Sequence, residues 1–195
     1  MQYAVKHDIK DLKGIDGLVV FIHEKTTILK GLSKNLDPSL GLNALLKEPN
    51  VKGKKNEITV SYLNAGGLKR LIVIGLGDSK TPLSAVQLRH ISGSLIRVAD
   101  RHGLTSLGLL LPEDLCKDNS TSQLAQAIGE GLTMGRYTFT AYKSSPEKSL
   151  QSLKKVTIIH PKQGFDEDAF KRGVVIGESV NIARNLTNSP ANDMT

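Results

Sequence analysis

The run Val73-Ile74-Gly75-Leu76-Gly77-Asp78 is where residue types and spacing come nearest to chemistry in this 195-residue chain. Glycines between a strand and a helix leave backbone amides open to an anion, and the helix N-terminus adds a favourable field. Gly75 to Asp78 therefore offers a phosphate-holding turn suited to ADP-ribose or a related phosphate. The competing reading is an ordinary tight turn at a strand end. Lys80 stands where the third glycine of Gly-x-Gly-x-x-Gly belongs, and Asp78 adds negative charge beside the anion position, so the ordinary turn is favoured.

The other reactive side chains do not assemble. His7, His23, His90, His102 and His160 form no His-Glu-x-x-His or other close ligand pair, and partly buried histidines are the plain expectation. Asp100, Glu113, Asp114, Glu130, Asp166, Glu167 and Asp168 fall at helix ends or in loops. No Gly-x-Ser-x-Gly elbow surrounds any serine, and Cys116 is alone and outside any thiol motif. The sequence predicts no catalytic, cofactor-binding or metal-ligating residue in this chain.

A net charge of +7 and the basic cluster Lys52, Lys54 and Lys55 raise a nucleic-acid-binding surface as a further reading. No aromatic residues interleave with those lysines to stack bases, so the expectation is weak phosphate attraction without sequence specificity. A lone cysteine, no apolar run of membrane-spanning length, and charges at Lys6, Asp8, Lys10, Asp11 and Lys13 in place of a leader point to the cytoplasm and away from membranes.

The elements that must position these residues alternate between strand and helix. Strands are predicted over residues 2–7, 18–22, 57–63, 69–74, 104–111 and 155–160, the second a continuous apolar run of the kind buried on both faces. Asn64-Ala-Gly-Gly67 supplies a hairpin loop between the third and fourth. Helices are predicted over residues 37–47, with Leu42, Leu45 and Leu46 at helical spacing; from Thr81 as N-cap and Pro82 at the first position to His102; and over 120–135. The second buries Leu88, Ile91, Leu95, Val98 and His102 and stops at Gly103. In the third, Gly129, Gly131 and Gly135 imply close packing against a sheet. Residues 136–143 alternate like a strand but run into Ser144-Ser-Pro146, the other outcome being an ordered excursion. The sum is an α/β fold with a mixed sheet covered by helices on both faces.

The last helix, capped by Asp166 and running to Thr187, is apolar on several rows: Phe170, Val174 and Gly177; Ile176, Val180 and Ala183; Ile182 and Leu186. So broad an apolar surface calls for cover on more than one side, and Ser189-Pro190 ends it.

Ala183-Arg184, Leu186, Asn188-Ser-Pro190 and Asn192 carry a resemblance. They are similar to the Ala-Arg-Asp-Leu-x-Asn-Thr-Pro-x-Asn signature at the domain junction of the M17 leucyl (cytosol) aminopeptidases, with Asn185 in place of the usual acidic residue and Ser189 in place of threonine. The strand ending Val73-Ile-Gly75-Leu-Gly77 and the stretch Gly135-Arg-Tyr-Thr-Phe-Thr-Ala-Tyr-Lys143 precede it in the family order. The resemblance implies a macro-domain-like unit over residues 1–165, an interdomain linker helix over 166–188, and the start of a missing catalytic domain at 189–195. It implies a parent metallo-aminopeptidase, a cytoplasmic hexamer releasing N-terminal residues, preferably leucine, from peptides. Two zinc or manganese ions would sit in that catalytic domain. This chain would then be inactive alone and serve assembly and access.

Overall fold

The computed structural model describes residues 1–8, 12–25, 45, 47–65, 67–112, 121–142, 153–160 and 164–193. The strands are β1 (Gln2–Lys6), β2 (Gly17–Ile22), β3 (Ile58–Ala65), β4 (Leu68–Gly75), β5 (Ser106–Leu110) and β6 (Lys155–Ile159). The helices are α1 (Ala85–Arg101), α2 (Thr121–Gly135) and α3 (Glu167–Asn188), followed by a 3-10 turn at Ala191–Asp193. The helix expected over 37–47 lies outside the described residues except at Leu45, which is helical, and Lys47. Cys116, Glu113, Asp114 and Ser144 to Pro146 also lie outside them.

One mixed sheet carries the strands in the order β1-β6-β5-β2-β4-β3. All neighbours are parallel except β3 and β4, which form the expected antiparallel pair with Val60 opposite Ile72. β2 is central and buried at every position, which is why its sequence is an unbroken apolar run. Val19 and Phe21 point to one face, where they join Ile72, Leu109 and the buried sides of the helices. Leu18 and Val20 point to the other, where Ile15, Leu45 and Val51 cover them. The fold is α/β with a mixed sheet, as expected, but the described helices α1, α2 and α3 all pack on the face of Val19 and Phe21, and on the other face the only described helical residue is Leu45.

α1 starts later than the sequence suggested. Thr81 donates its amide to Asp78 O at 3.1 Å in a turn, and Ser84 is the N-cap, accepting from the Gln87 amide at 3.2 Å. Thr81 and Pro82 therefore stand outside the helix. Leu88, Ile91 and Leu95 are buried as expected, while Val98 is only partly covered and His102 is the C-cap. Gly103, at φ 61°, takes the left-handed conformation that stops the helix.

The glycines of α2 face helices, where the sequence had suggested the sheet. Leu124, Ile128 and Leu132 meet the sheet, leaving the glycines to the flanks. A Cβ on Gly131 would stand 2.3 Å from Arg89 O of α1, and one on Gly129 would stand 2.4 Å from Phe170 O of α3. Backbones on both sides thus approach α2 more closely than any side chain permits.

α3 is capped as predicted, with Asp166 Oδ1 accepting from the Ala169 amide at 2.8 Å and its other oxygen from the Ser122 hydroxyl. Glu167 and Asp168 lie in its first turn, where negative charge suits the helix field. Ser189 closes it.

Candidate functional site

The glycine turn after β4 has its amides already engaged. Gly75 N donates to Glu57 O at 2.8 Å, Leu76 N to Ile22 O at 2.8 Å, and Gly77 N to Gly53 O at 3.0 Å. A phosphate would need those same donors. Gly75 is required because the loop from Val51 to Glu57 crosses it; a Cβ there would stand 2.0 Å from Lys54 O. Asp78 accepts from Lys80 N at 3.0 Å, and the first helical residue, Ala85, is seven positions further on. This is a backbone crossing, so the geometry does not favour the ADP-ribose reading. In the basic loop the amides of Lys52 and Lys54 both donate to Glu57 Oε2, at 2.9 and 3.2 Å, which places a carboxylate among the exposed lysines.

His7 Nδ1 lies 3.1 Å from the His160 carbonyl, His23 Nδ1 lies 3.3 Å from Gly77 O, and His90 is exposed on α1. Among the described residues no group of three or more His, Cys, Asp or Glu side chains is placed to hold a metal ion. No helix among them is long and apolar enough to cross a membrane.

The feature that does assemble is the outer surface of α3. Its buried residues are Ala169, Phe170, Gly173 and Gly177, all in the first half. Phe170 meets Tyr3 edge-on at 5.2 Å between ring centroids. At 3.6 residues per turn, Val175, Ile182 and Leu186 fall on one row, turned away from Gly173 and Gly177. They are 61%, 61% and 56% exposed, and Ile176 beside them is 41% exposed. Among the described residues nothing covers this row.

The two later stretches that carried the family resemblance meet on the opposite side of α3 from this row. Residues 136–142 lie in no strand; they are the ordered excursion, laid against the end of α3. Asn188 Nδ2 donates to the Tyr137 hydroxyl at 2.9 Å, Arg184 Nη1 to Met134 O at 3.4 Å, and Asn181 Nδ2 to Thr133 O at 3.0 Å. Arg184 also sits 5.4 Å over the Tyr137 ring. Tyr3 shares a 3.0 Å hydrogen bond with Thr133, and its phenol pKa is raised, chiefly by burial.

Sequence reasoning did not find a cavity of about 300 Å³ at this junction, lined by Tyr3, Arg136, Tyr137, Glu178, Asn181 and Asn185 among others. The three- and four-residue spacing of Glu178, Asn181 and Asn185 on one helical row was the available signal.

The described residues thus form an α/β domain on a mixed six-stranded sheet, with an exposed apolar row on its last helix. Residues 19–146 match the model of the cytosol aminopeptidase family, N-terminal domain, and the chain belongs to that family. It is 31% identical over 190 residues to a probable cytosol aminopeptidase of Aquifex aeolicus, covering 97% of this chain and 36% of the relative. It is 32% identical over 202 residues to leucine aminopeptidase 1 of Arabidopsis thaliana, covering 98% and 38% respectively. The chain thus spans little more than a third of the curated relatives it matches. A mutant of tomato leucine aminopeptidase shares the fold, with TM-score 0.79 and 23% identity over 100% of this chain and 39% of that one. The bottromycin maturation enzyme BotP does so at TM-score 0.64 and 19% identity, over 93% and 34%.

Proposed function

We propose that this chain is the non-catalytic N-terminal domain of a dinuclear-metal leucyl aminopeptidase, with α3 as the linker helix over 166–188 and residues 189–195 opening the catalytic domain. The observation that carries this reading is the exposed row Val175, Ile182 and Leu186 on the helix that leads out of the domain. In a two-domain enzyme that row docks the catalytic domain, which would supply the remaining length of the relatives. Both metal ions, zinc or manganese, would belong to that other domain. The ions would supply Lewis-acid chemistry for peptide hydrolysis there. The parent would be a cytoplasmic hexamer releasing N-terminal residues, leucine preferred, and this domain would govern assembly and access.

Two experiments test the proposal. The purified chain with manganese or zinc should not hydrolyse leucine anilide, and metal-dependent turnover by a pure sample would overturn the reading. A chimaera joining this chain to the remaining two thirds of the Aquifex aeolicus relative should assemble and cleave. Ile182→Asp with Leu186→Asp should impair its assembly, and intact assembly of that variant would remove the docking role of the row.

A further inference from the structure

We propose that β3 pairs with the β3 of a second copy of this chain, antiparallel about a two-fold axis at Val60, so that two sheets join edge to edge. β3 ends the strand order, and among the described residues nothing pairs with its outer side. Its eight residues, Ile-Thr-Val-Ser-Tyr-Leu-Asn-Ala, include no charge and no proline. Sheet edges are normally kept from pairing by shortness, lysine or proline. The opposite edge, β1, follows that pattern, with five residues ending in Lys6. β3 does not, and its register shift between Tyr62 and Ala65 touches only its far end.

The register fixes which bonding groups of β3 face outward. Gly75 N donates to Glu57 O at 2.8 Å, so in the alternation that follows Thr59 and Ser61 bond to Val73 and Leu71. The N–H and C=O groups of Ile58, Val60 and Tyr62 then point away from β4. A two-fold axis at Val60 sets that residue against Val60 of the second copy, and Ile58 against Tyr62 of the second copy, with donors and acceptors aligned in each pair. Ile58 and Val60 pack on the face that carries the helices. Tyr62, on the same face, is 76% exposed, with the Arg70 guanidinium 3.8 Å from its ring centroid. Pairing gives it a branched cross-strand neighbour of the kind aromatic residues favour in sheets. On the other face Thr59 meets Ser61 of the second copy, hydroxyl against hydroxyl. The strand is therefore complementary to itself, and its lack of charge gives no preference for a different partner.

This inference goes beyond the docking role of α3. That helix touches β1, at the far edge of the sheet, through Phe170 and Tyr3, so the two surfaces do not compete. A contact of about seven residues a side falls well short of the roughly 20–30 of a standard interface, so the dimer is weak, with a dissociation constant on the order of 0.1 mM.

The test is sedimentation equilibrium of the purified chain from about 10 μM to about 1 mM, which should carry it from monomer to dimer. Over the same range, exchange of the Ile58, Val60 and Tyr62 amides should slow about fourfold, while Thr59 and Ser61, already bonded to β4, change little. Val60→Pro removes an outward N–H that β4 does not use, a change an edge strand tolerates, and should stay monomeric throughout. If that variant fails to fold, Tyr62→Asp at the exposed ring decides in its place and should weaken the dimer about tenfold. A chain that stays monomeric at the highest concentration, or a dimer that survives Val60→Pro unchanged, would overturn the inference. So would a dimer abolished by Ile182→Asp with Leu186→Asp, since that contact would lie on α3. None of these outcomes involves a catalytic domain, so the aminopeptidase reading stands or falls separately.

Discussion

The two halves of α3 belong to one continuous helix but are held by different forces. From Ala169 to Gly177 it is seated by apolar burial and by glycine contacts, a Cβ on Gly173 standing 2.1 Å from Gln126 O. From Glu178 to Asn188 no residue is buried, and polar bonds from Asn181, Arg184 and Asn188 to residues 133–137 do the holding. The first half has the composition of a core element. The second has no buried residue, and the exposed aliphatic row that begins at Val175 in the first half continues through it at Ile182 and Leu186.

Substitutions that strike the two halves separately can break this contrast. Phe170→Ala removes a ring packed against Tyr3 and Phe165 and should cost about 4 kcal/mol in urea unfolding. Gly173→Ala forces α2 and α3 apart and should cost about 3 kcal/mol, because the obstruction is backbone that no rotamer can relieve. If either variant unfolds like the native chain, the first half is not seated as described.

Acid acts on the same half more gently. The Ser122 hydroxyl, followed by the Ala169 amide, holds the Asp166 carboxyl below its ordinary value. A lowered folded-state pKa gives stability that is full above the unfolded value, near 4, and is lost as the pH falls through the lower native one. Asp166→Asn keeps a capping oxygen but removes the titration. It should therefore flatten the acid limb of urea midpoint against pH, and an unchanged limb would show that the cap is not titrating.

In the second half, Asn188→Ala should leave the global midpoint within about 0.5 kcal/mol while amide exchange quickens in the last turns of α3. Smallest of all, Ile182→Ser with Leu186→Ser should scarcely move the midpoint, by about 0.3 kcal/mol, yet reduce binding of an apolar dye. A large loss of stability there would mean that the row belongs to the core.

Much of this was legible in the residues. The unbroken apolar run of β2, the hairpin between β3 and β4, and the Asp166 cap follow from local chemistry, and all are present. The start of α1 was misplaced because Thr81-Pro82 is a sound local signal that loses to the Asp78 turn and the Ser84 cap. The glycines of α2 announced close approach but could not name the neighbour, since which helix lies alongside is a property of topology. The alternation in residues 136–142 mimicked a strand for the same reason: its partners, Arg184 and Asn188, are distant in sequence. The Tyr3 cavity draws on three separated segments, and no single window of sequence contains it.

A rod of 22 residues, about 33 Å long, clamped along its first half and unsupported by any core along its second, is a cantilever. At Gly129 and Gly173 the clamp is backbone against backbone, which leaves α2 and α3 no room for a methyl group at either position. The angle at which the rod crosses α2 is set by those few missing methyl groups.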